Sequence, residues 1–94
     1  LPFEVIATPG HTADHISLLM DGILFCGDAA MNNFPSVKRT IIWIEDLEQY
    51  KRSWEKMIAL HPKMVFPAHG KPFPVEDLGK YRSYLDRIKL YALK

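Results

Sequence analysis

The stretch TPGHTADHISLLMDGILFCGD, residues 8–28, determines the predicted fold of the first part of the chain. Positions 1–8 are rich in apolar and β-branched residues and end at Pro9-Gly10, which is typical of a strand that ends in a turn. Further on, Asp21-Gly22 is a tight-turn pair between the apolar runs 15–20 and 23–26. We therefore predict one strand followed by a β-hairpin.

Two amphipathic helices and one short strand are predicted downstream of the hairpin. Breaking residues over 29–39 predict a loop, after which Asp46 can cap a helix over 47–60 that Pro62 ends. The apolar run 64–66 is typical of a short buried strand. A second apolar stripe, from Leu78 to Ala92, predicts a long helix at the end of the chain. The order of elements indicates an α/β fold, in a single domain over residues 1–94.

The composition is that of an ordinary globular protein. The 94 residues are 48% hydrophobic and 24% charged, which excludes disorder, and the net charge of +1 argues against a general nucleic-acid or membrane surface. The apolar runs are far shorter than the roughly 20 residues that a membrane span needs. Because Cys26 has no disulfide partner and no signal peptide is recognisable, we expect a cytoplasmic protein. The first residue, Leu1, is not a methionine, so we also expect a cut upstream.

Three side chains that can bind metals lie just beyond predicted strand ends: His11, Asp28 and His69. Imidazole and carboxylate groups are ligands that zinc, iron and manganese accept, and nearby Gly and Pro residues fix the loops that carry them. The separations of 17 and 41 residues match no local zinc pattern. The residue types thus allow a metal site. Because the spacing matches no local pattern, the alternative that the chain binds no metal stays open.

The motifs Thr-Pro-Gly-His-Thr, Gly-Asp and Pro-Ala-His-Gly, with an amphipathic helix between the last two, resemble the second half of the metallo-β-lactamase superfamily over nearly the whole chain. The resemblance implies half of an αβ/βα sandwich, with a β-hairpin, a mixed sheet and two amphipathic helices. It also implies that His11 binds a first metal ion and His69 a second. Asp28 would bridge the two ions and act as the catalytic carboxylate. The implied metal is zinc, two ions in the intact domain, with iron or manganese as alternatives.

The first motif of that family, His-x-His-x-Asp-His, does not occur in these residues. The resemblance therefore implies part of a hydrolase in which a metal-bound hydroxide attacks an ester, thioester, lactone, amide or phosphodiester in a small-molecule substrate. The 94-residue chain by itself is expected to be inactive. The alternative is a catalytically silent half-domain that forms a homodimer or pairs with a separate first half. If the coding sequence before Leu1 contains the His-x-His-x-Asp-His motif in frame, the enzyme is favoured. If a start codon lies there, the silent half-domain is favoured.

Five further residues could take part in chemistry. His15 is four residues from His11, but the Pro-Gly turn argues against a helix that would make the two a ligand pair. A role in supporting a ligand or in packing is favoured for His15. Cys26, on an apolar strand, is predicted to be a buried structural thiol. His61 fits a helix end and is assigned no chemistry. Trp43 and Phe34, near the predicted loop, are candidate substrate contacts.

Overall fold

A four-stranded mixed sheet forms the framework of the molecule. The computed structural model describes residues 3–33, 38–41 and 43–87. The strands are β1 (Glu4–Ala7), β2 (Ile16–Met20), β3 (Ile23–Gly27) and β4 (Met64–Pro67), in the order β1-β2-β3-β4. The first three pair antiparallel, and β4 pairs parallel to β3. The predicted hairpin, the short strand at 64–66 and the α/β class are confirmed. Of the predicted strand over 1–8, β1 covers 4–7, and the first two positions lie outside the described residues.

The two faces of the sheet differ in exposure because successive side chains along a strand point to opposite sides. On the inner face, Leu24 and Cys26 of β3 and Val65 of β4 are completely buried. On the opposite side, here called the outer sheet face, the strand registers align one apolar row across all four strands. The row consists of Val5, Leu18, Phe25 and Phe66. Val5 is 55% exposed and Phe25 is 38% exposed, so this row is only partly covered.

Helix α1 (Leu47–Ala59) lies within one residue of its predicted bounds. The Asp46 side chain caps it by accepting a hydrogen bond from the Gln49 backbone N–H at 3.1 Å. The helix buries one apolar stripe completely, formed by Tyr50, Trp54 and Met57. After the helix, His61 adopts a left-handed conformation (φ 51°) before Pro62. The stripe joins the inner sheet face in a single apolar core.

The second predicted helix is correct in position but wrong as one long α-helix. Helix α2 (Glu76–Tyr81) is followed directly by a 3₁₀ helix (Arg82–Arg87), and the predicted extension beyond residue 87 lies outside the described residues. Gly79 has a low helix propensity and Ser83 an intermediate one, which weakens a regular α-helix at this point. Leu78 of α2 and Leu85 of the 3₁₀ helix are both buried against the core.

Within the described residues no helix is both long enough and apolar enough to cross a membrane.

Candidate metal centre

The three predicted ligands meet at the end of the sheet, with Asp28 in the middle. His11 Nε2 lies 3.5 Å from Asp28 Oδ2, and His69 Nε2 lies 3.3 Å from Asp28 Oδ1. Residues that are 17 and 41 positions apart in the chain are thus brought into one cluster by the sheet. The two histidines approach different oxygens of one carboxylate, so the cluster is centred on Asp28.

His11 is held by the turn that precedes it. Gly10 has φ 138°, and a Cβ atom there would lie 2.4 Å from the Tyr50 Cα, so only glycine lets the turn approach helix α1. The Gly10 carbonyl accepts hydrogen bonds from the backbone N–H groups of Glu45 and Asp46, at 2.8 and 2.9 Å. The turn is thereby fastened to the start of α1.

The orientation of the His11 ring is set by a backbone carbonyl. Nδ1 lies 2.6 Å from the Trp43 carbonyl oxygen, which can only accept a hydrogen bond, so Nδ1 is the protonated nitrogen. In a neutral ring, Nε2 then carries a lone pair, and that lone pair faces the Asp28 carboxylate. An unprotonated Nε2 and the carboxylate can both act as ligands of one cation, whereas a ring protonated on both nitrogens forms an ion pair with Asp28.

The main chain around His69 is positioned by hydrogen bonds to two other loops. Its carbonyl accepts from the Asn32 N–H at 2.9 Å, and the preceding Ala68 N–H donates to the Gly27 carbonyl at 2.9 Å. The Asn32 amide side chain also donates to the Lys71 carbonyl at 2.9 Å. The His69 side chain nevertheless remains 58% exposed, compared with 19% for His11. The site is therefore open to solvent on the His69 side.

Asp28 follows a sharp turn at the end of β3. Gly27 is in the left-handed region (φ 54°), and the Ala29 N–H closes the turn on the Cys26 carbonyl at 2.9 Å. The Oδ1 atom of Asp28 is buried and has no hydrogen-bond partner among the described residues. His69 Nε2 is within 3.3 Å of this oxygen but not in hydrogen-bonding geometry. A buried carboxylate oxygen without a donor is costly unless a cation neutralises it.

His15 contacts the main chain of Asp28 instead of its carboxylate. The Asp28 backbone N–H donates to His15 Nε2 at 3.0 Å, and His15 Nδ1 lies 2.9 Å from the Thr8 hydroxyl. Burial lowers the pKa of His15, and the nearby Asp28 carboxylate partly opposes this shift. His15 thus contacts the main chain of a predicted ligand, and the sequence left both support of a ligand and simple packing open for it.

An open cavity of about 340 Å³ lies over the cluster. Besides the three predicted ligands, it is lined by Met31, Asn33, Ile41 and Trp43. Trp43, a candidate contact from the sequence, is 56% exposed. Phe34, the other aromatic candidate, lies outside the described residues. Met31 and Ile41 were not anticipated, because nothing in their local sequence separates a cavity wall from ordinary core.

Within the part of the chain that the structure describes, the three predicted ligands do not all surround one point. No group of three or more His, Cys, Asp or Glu side chains there surrounds a single point closely enough to hold a metal ion. His11 and His69 each pair with Asp28, yet on opposite oxygens. The cluster therefore offers two separate donor pairs that share one carboxylate.

Comparison with known proteins gives consistent matches. The profile of the metallo-beta-lactamase superfamily matches residues 1–69. The chain is 39% identical over 84 residues to the Beta-lactamase-like protein 2 homolog of Drosophila melanogaster, covering 88% of this chain and 26% of that protein. It is 42% identical over 68 residues to the metallo-beta-lactamase fold-containing protein ST1585 of Sulfurisphaera tokodaii, covering 71% and 26%. The chain thus spans about a quarter of the length of these curated relatives.

Solved structures share the architecture described above. The crystal structure of ST1585, an archaeal metallo-beta-lactamase superfamily protein, superposes with a TM-score of 0.70 at 31% identity, over 94% of this chain and 36% of that one. The metallo-beta-lactamase from Pontibacter korlensis superposes with a TM-score of 0.72 at 23% identity, over 92% and 42%. At that lower identity the likeness concerns the fold alone.

Proposed function

This chain belongs to the metallo-beta-lactamase superfamily, whose members generally bind metal ions, often zinc, and we propose on that basis that His11, Asp28 and His69 contribute to a dinuclear metal centre. The chain carries the hydrolase-like fold of the superfamily over part of a domain. Its own contribution is one histidine for each ion and a carboxylate that serves both.

The observation that carries the proposal is the approach of His11 Nε2 to Asp28 Oδ2 at 3.5 Å while Nδ1 is committed to the Trp43 carbonyl. Two ligands of one tetrahedral zinc ion lie about 3.3–3.4 Å apart, if each bond is about 2.0–2.1 Å long. The His11–Asp28 and His69–Asp28 separations, 3.5 and 3.3 Å, are close to that value. The unpartnered Asp28 Oδ1 is a second feature that a cation would satisfy. The residues present therefore fit a metal.

Two ions fit this cluster better than one. A single ion with three protein ligands needs all three donors around one point, and the described side chains do not form such a group. Instead, each histidine faces its own oxygen of Asp28. A bridging carboxylate is suited to that arrangement, because its two oxygens can each serve a different cation.

The proposed reaction is hydrolysis of an ester, thioester, lactone, amide or phosphodiester in a small-molecule substrate. When bound, the metal ions supply Lewis-acid polarisation of the substrate and a nucleophile at neutral pH. The chain's own residues fix the site: Asp28 orients the attacking group, and Trp43 holds the His11 ring through its carbonyl. The apolar side chains of Met31, Ile41 and Trp43 provide one wall for the substrate.

Zinc titration by isothermal calorimetry tests the metal site on the chain itself. We expect wild type to bind Zn²⁺ and Asp28→Asn to bind at least about 10-fold more weakly, because the amide removes the charge that both ions share. His61→Asn is the matched control, since it removes one exposed imidazole far from the cluster and should leave affinity unchanged. Equal binding by wild type and Asp28→Asn would refute the proposed centre.

The alternative, a self-associating half-domain, is favoured by one observation: the apolar outer sheet face. Val5, Ile16 and Phe25 are exposed on this side of the sheet, at 55, 52 and 38%. Exposed apolar patches of this kind are usually covered by a partner, and a two-fold dimer places the same patch on both chains. A second copy of the chain is the proposed occupant.

Sedimentation equilibrium at micromolar concentration, with EDTA present, tests this alternative. We expect wild type to be a dimer and Phe25→Lys to be a monomer. Tyr84→Lys is the control, because Tyr84 is almost equally exposed, at 37%, but lies on the 3₁₀ helix away from the sheet. A well-folded wild-type monomer that binds no hydrophobic dye would refute self-association through the outer sheet face.

A further inference from the structure

The His15 ring is the centre of a directional hydrogen-bond chain that ends at Asp28. The Asp28 backbone N–H can only donate, so His15 Nε2, 3.0 Å away, is the acceptor. A neutral ring then carries its proton on Nδ1, which donates to the Thr8 hydroxyl at 2.9 Å. The Thr8 hydroxyl hydrogen remains free to donate to the Ser17 hydroxyl at 2.8 Å. Each member of the chain thus determines the orientation of the next.

We propose that His15, as the Nδ1–H tautomer, is a positioning residue that fixes the Asp28 carboxylate by accepting the hydrogen bond of the Asp28 backbone N–H. The relevance of this role to metal binding rests on the proposed function, while the hydrogen-bond arrangement itself does not. Nothing in the sequence motif distinguishes this role from simple packing.

The surroundings of the ring leave it few other arrangements. Thr8 and Ser17 are each only 1% exposed, so water does not compete for the Nδ1 side. On the other side, a Cβ atom at Gly27 would lie 2.9 Å from His15 Nε2. Glycine at position 27 therefore both permits the left-handed turn before Asp28 and leaves room for the ring to reach the Asp28 amide.

A direct ligand role for His15 does not fit the same contacts. The rings of His11 and His15 are neighbours, with centroids 6.4 Å apart in an edge-on arrangement. His11 keeps Nε2 available towards the carboxylate, whereas both ring nitrogens of His15 are already engaged. The two histidines of the motif thus have different tasks: one faces the cation site, and the other holds the turn that carries its carboxylate.

Nitrogen-15 NMR of the metal-free chain at pH 7.5 tests the tautomer directly. Long-range proton–nitrogen correlations should show His15 with Nδ1 protonated and Nε2 unprotonated, a signature that mere packing does not require. An Nε2–H tautomer, or an averaged pair of tautomers, would overturn the proposal.

Hydrogen exchange of the Asp28 amide tests the contact itself. His15→Phe keeps a ring of similar size but removes the acceptor, so we expect exchange at Asp28 to be at least about 10-fold faster. His15→Gln retains an acceptor and should restore most of the protection, and His61→Asn should leave it unchanged. Unchanged protection in His15→Phe would overturn the proposal. If His15→Phe does not fold, the wild-type tautomer and His15→Gln still decide the question.

Zinc affinity connects the contact to the site. Loss of a group that orients a ligand typically weakens metal binding about 10- to 100-fold. We therefore expect His15→Phe to bind Zn²⁺ at least about 10-fold more weakly than wild type, with His15→Gln close to wild type. Equal affinity of all three would contradict a positioning role towards metal. If wild type binds no zinc, the proposed metal centre fails, while the tautomer and the exchange rate still decide the role of His15.

Discussion

The Tyr50 hydroxyl joins helix α1 to the loop that lines the cavity, and its removal should have a measurable cost. Its oxygen accepts a hydrogen bond from the Ile41 backbone N–H at 3.0 Å, and both residues are buried, at 0% and 6% exposure. Tyr50→Phe deletes that oxygen and little else, so the Ile41 N–H loses its acceptor. Leaving a buried donor unsatisfied costs about 1–3 kcal/mol. In a domain of this length, such a loss lowers Tm by about 4–24 °C.

Urea denaturation followed by far-UV circular dichroism measures this cost. Tyr84→Phe is the matched control, because its ring is 37% exposed on the 3₁₀ helix and its free energy of unfolding should change by less than about 0.5 kcal/mol. A Tyr50→Phe protein within about 0.5 kcal/mol of wild type would show that the hydroxyl does not anchor the loop. The same result would contradict the inference that α1 holds Ile41, a residue of the cavity wall, in place.

Three further outcomes are expected. With added zinc, the 94-residue chain should hydrolyse β-lactam, thioester and phosphodiester substrates no faster than a His11→Ala control. Turnover above that control would contradict the expectation. In an intact parent protein, Asp28→Ala should reduce turnover strongly. Burial raises the pKa of the Cys26 thiol to about 12 from 9.0. Because the unfolded chain loses this proton at lower pH than the folded chain, the free energy of unfolding should fall as pH rises from about 9 to 12. A Cys26→Ala protein with the same decline would exclude the thiol as its cause. Gly10→Ala should lower the free energy of unfolding by at least about 3 kcal/mol, because a Cβ atom there would meet the α1 backbone at 2.4 Å. Gly79→Ala is the control: the space around Gly79 is open, so the protein should be equally stable or up to about 1 kcal/mol more stable. Equal unfolding midpoints of the two variants would refute the steric argument.

Local chemistry in the sequence was sufficient for the hairpin and for helix α1. Asp21-Gly22 sets the turn of the hairpin, and the alternating side chains of β2 and β3 follow from it. The start of α1 is set by the Asp46 cap and its end by Pro62, both within a few residues of the helix. Such signals act between neighbours in the chain, and for that reason they can be recognised without the fold. The three motif positions at strand ends were recognisable for the same reason.

The tertiary structure alone decided how these parts face one another. Which Asp28 oxygen each histidine approaches depends on the parallel pairing of β4 with β3, which joins segments about 40 residues apart. The role of His15 depends on the approach of its ring to the Asp28 main chain. Each of these results comes from contacts between distant residues, whose energies no local pattern encodes. The sequence by itself determined which groups could form the site, and the packing of the sheet determined which atoms meet.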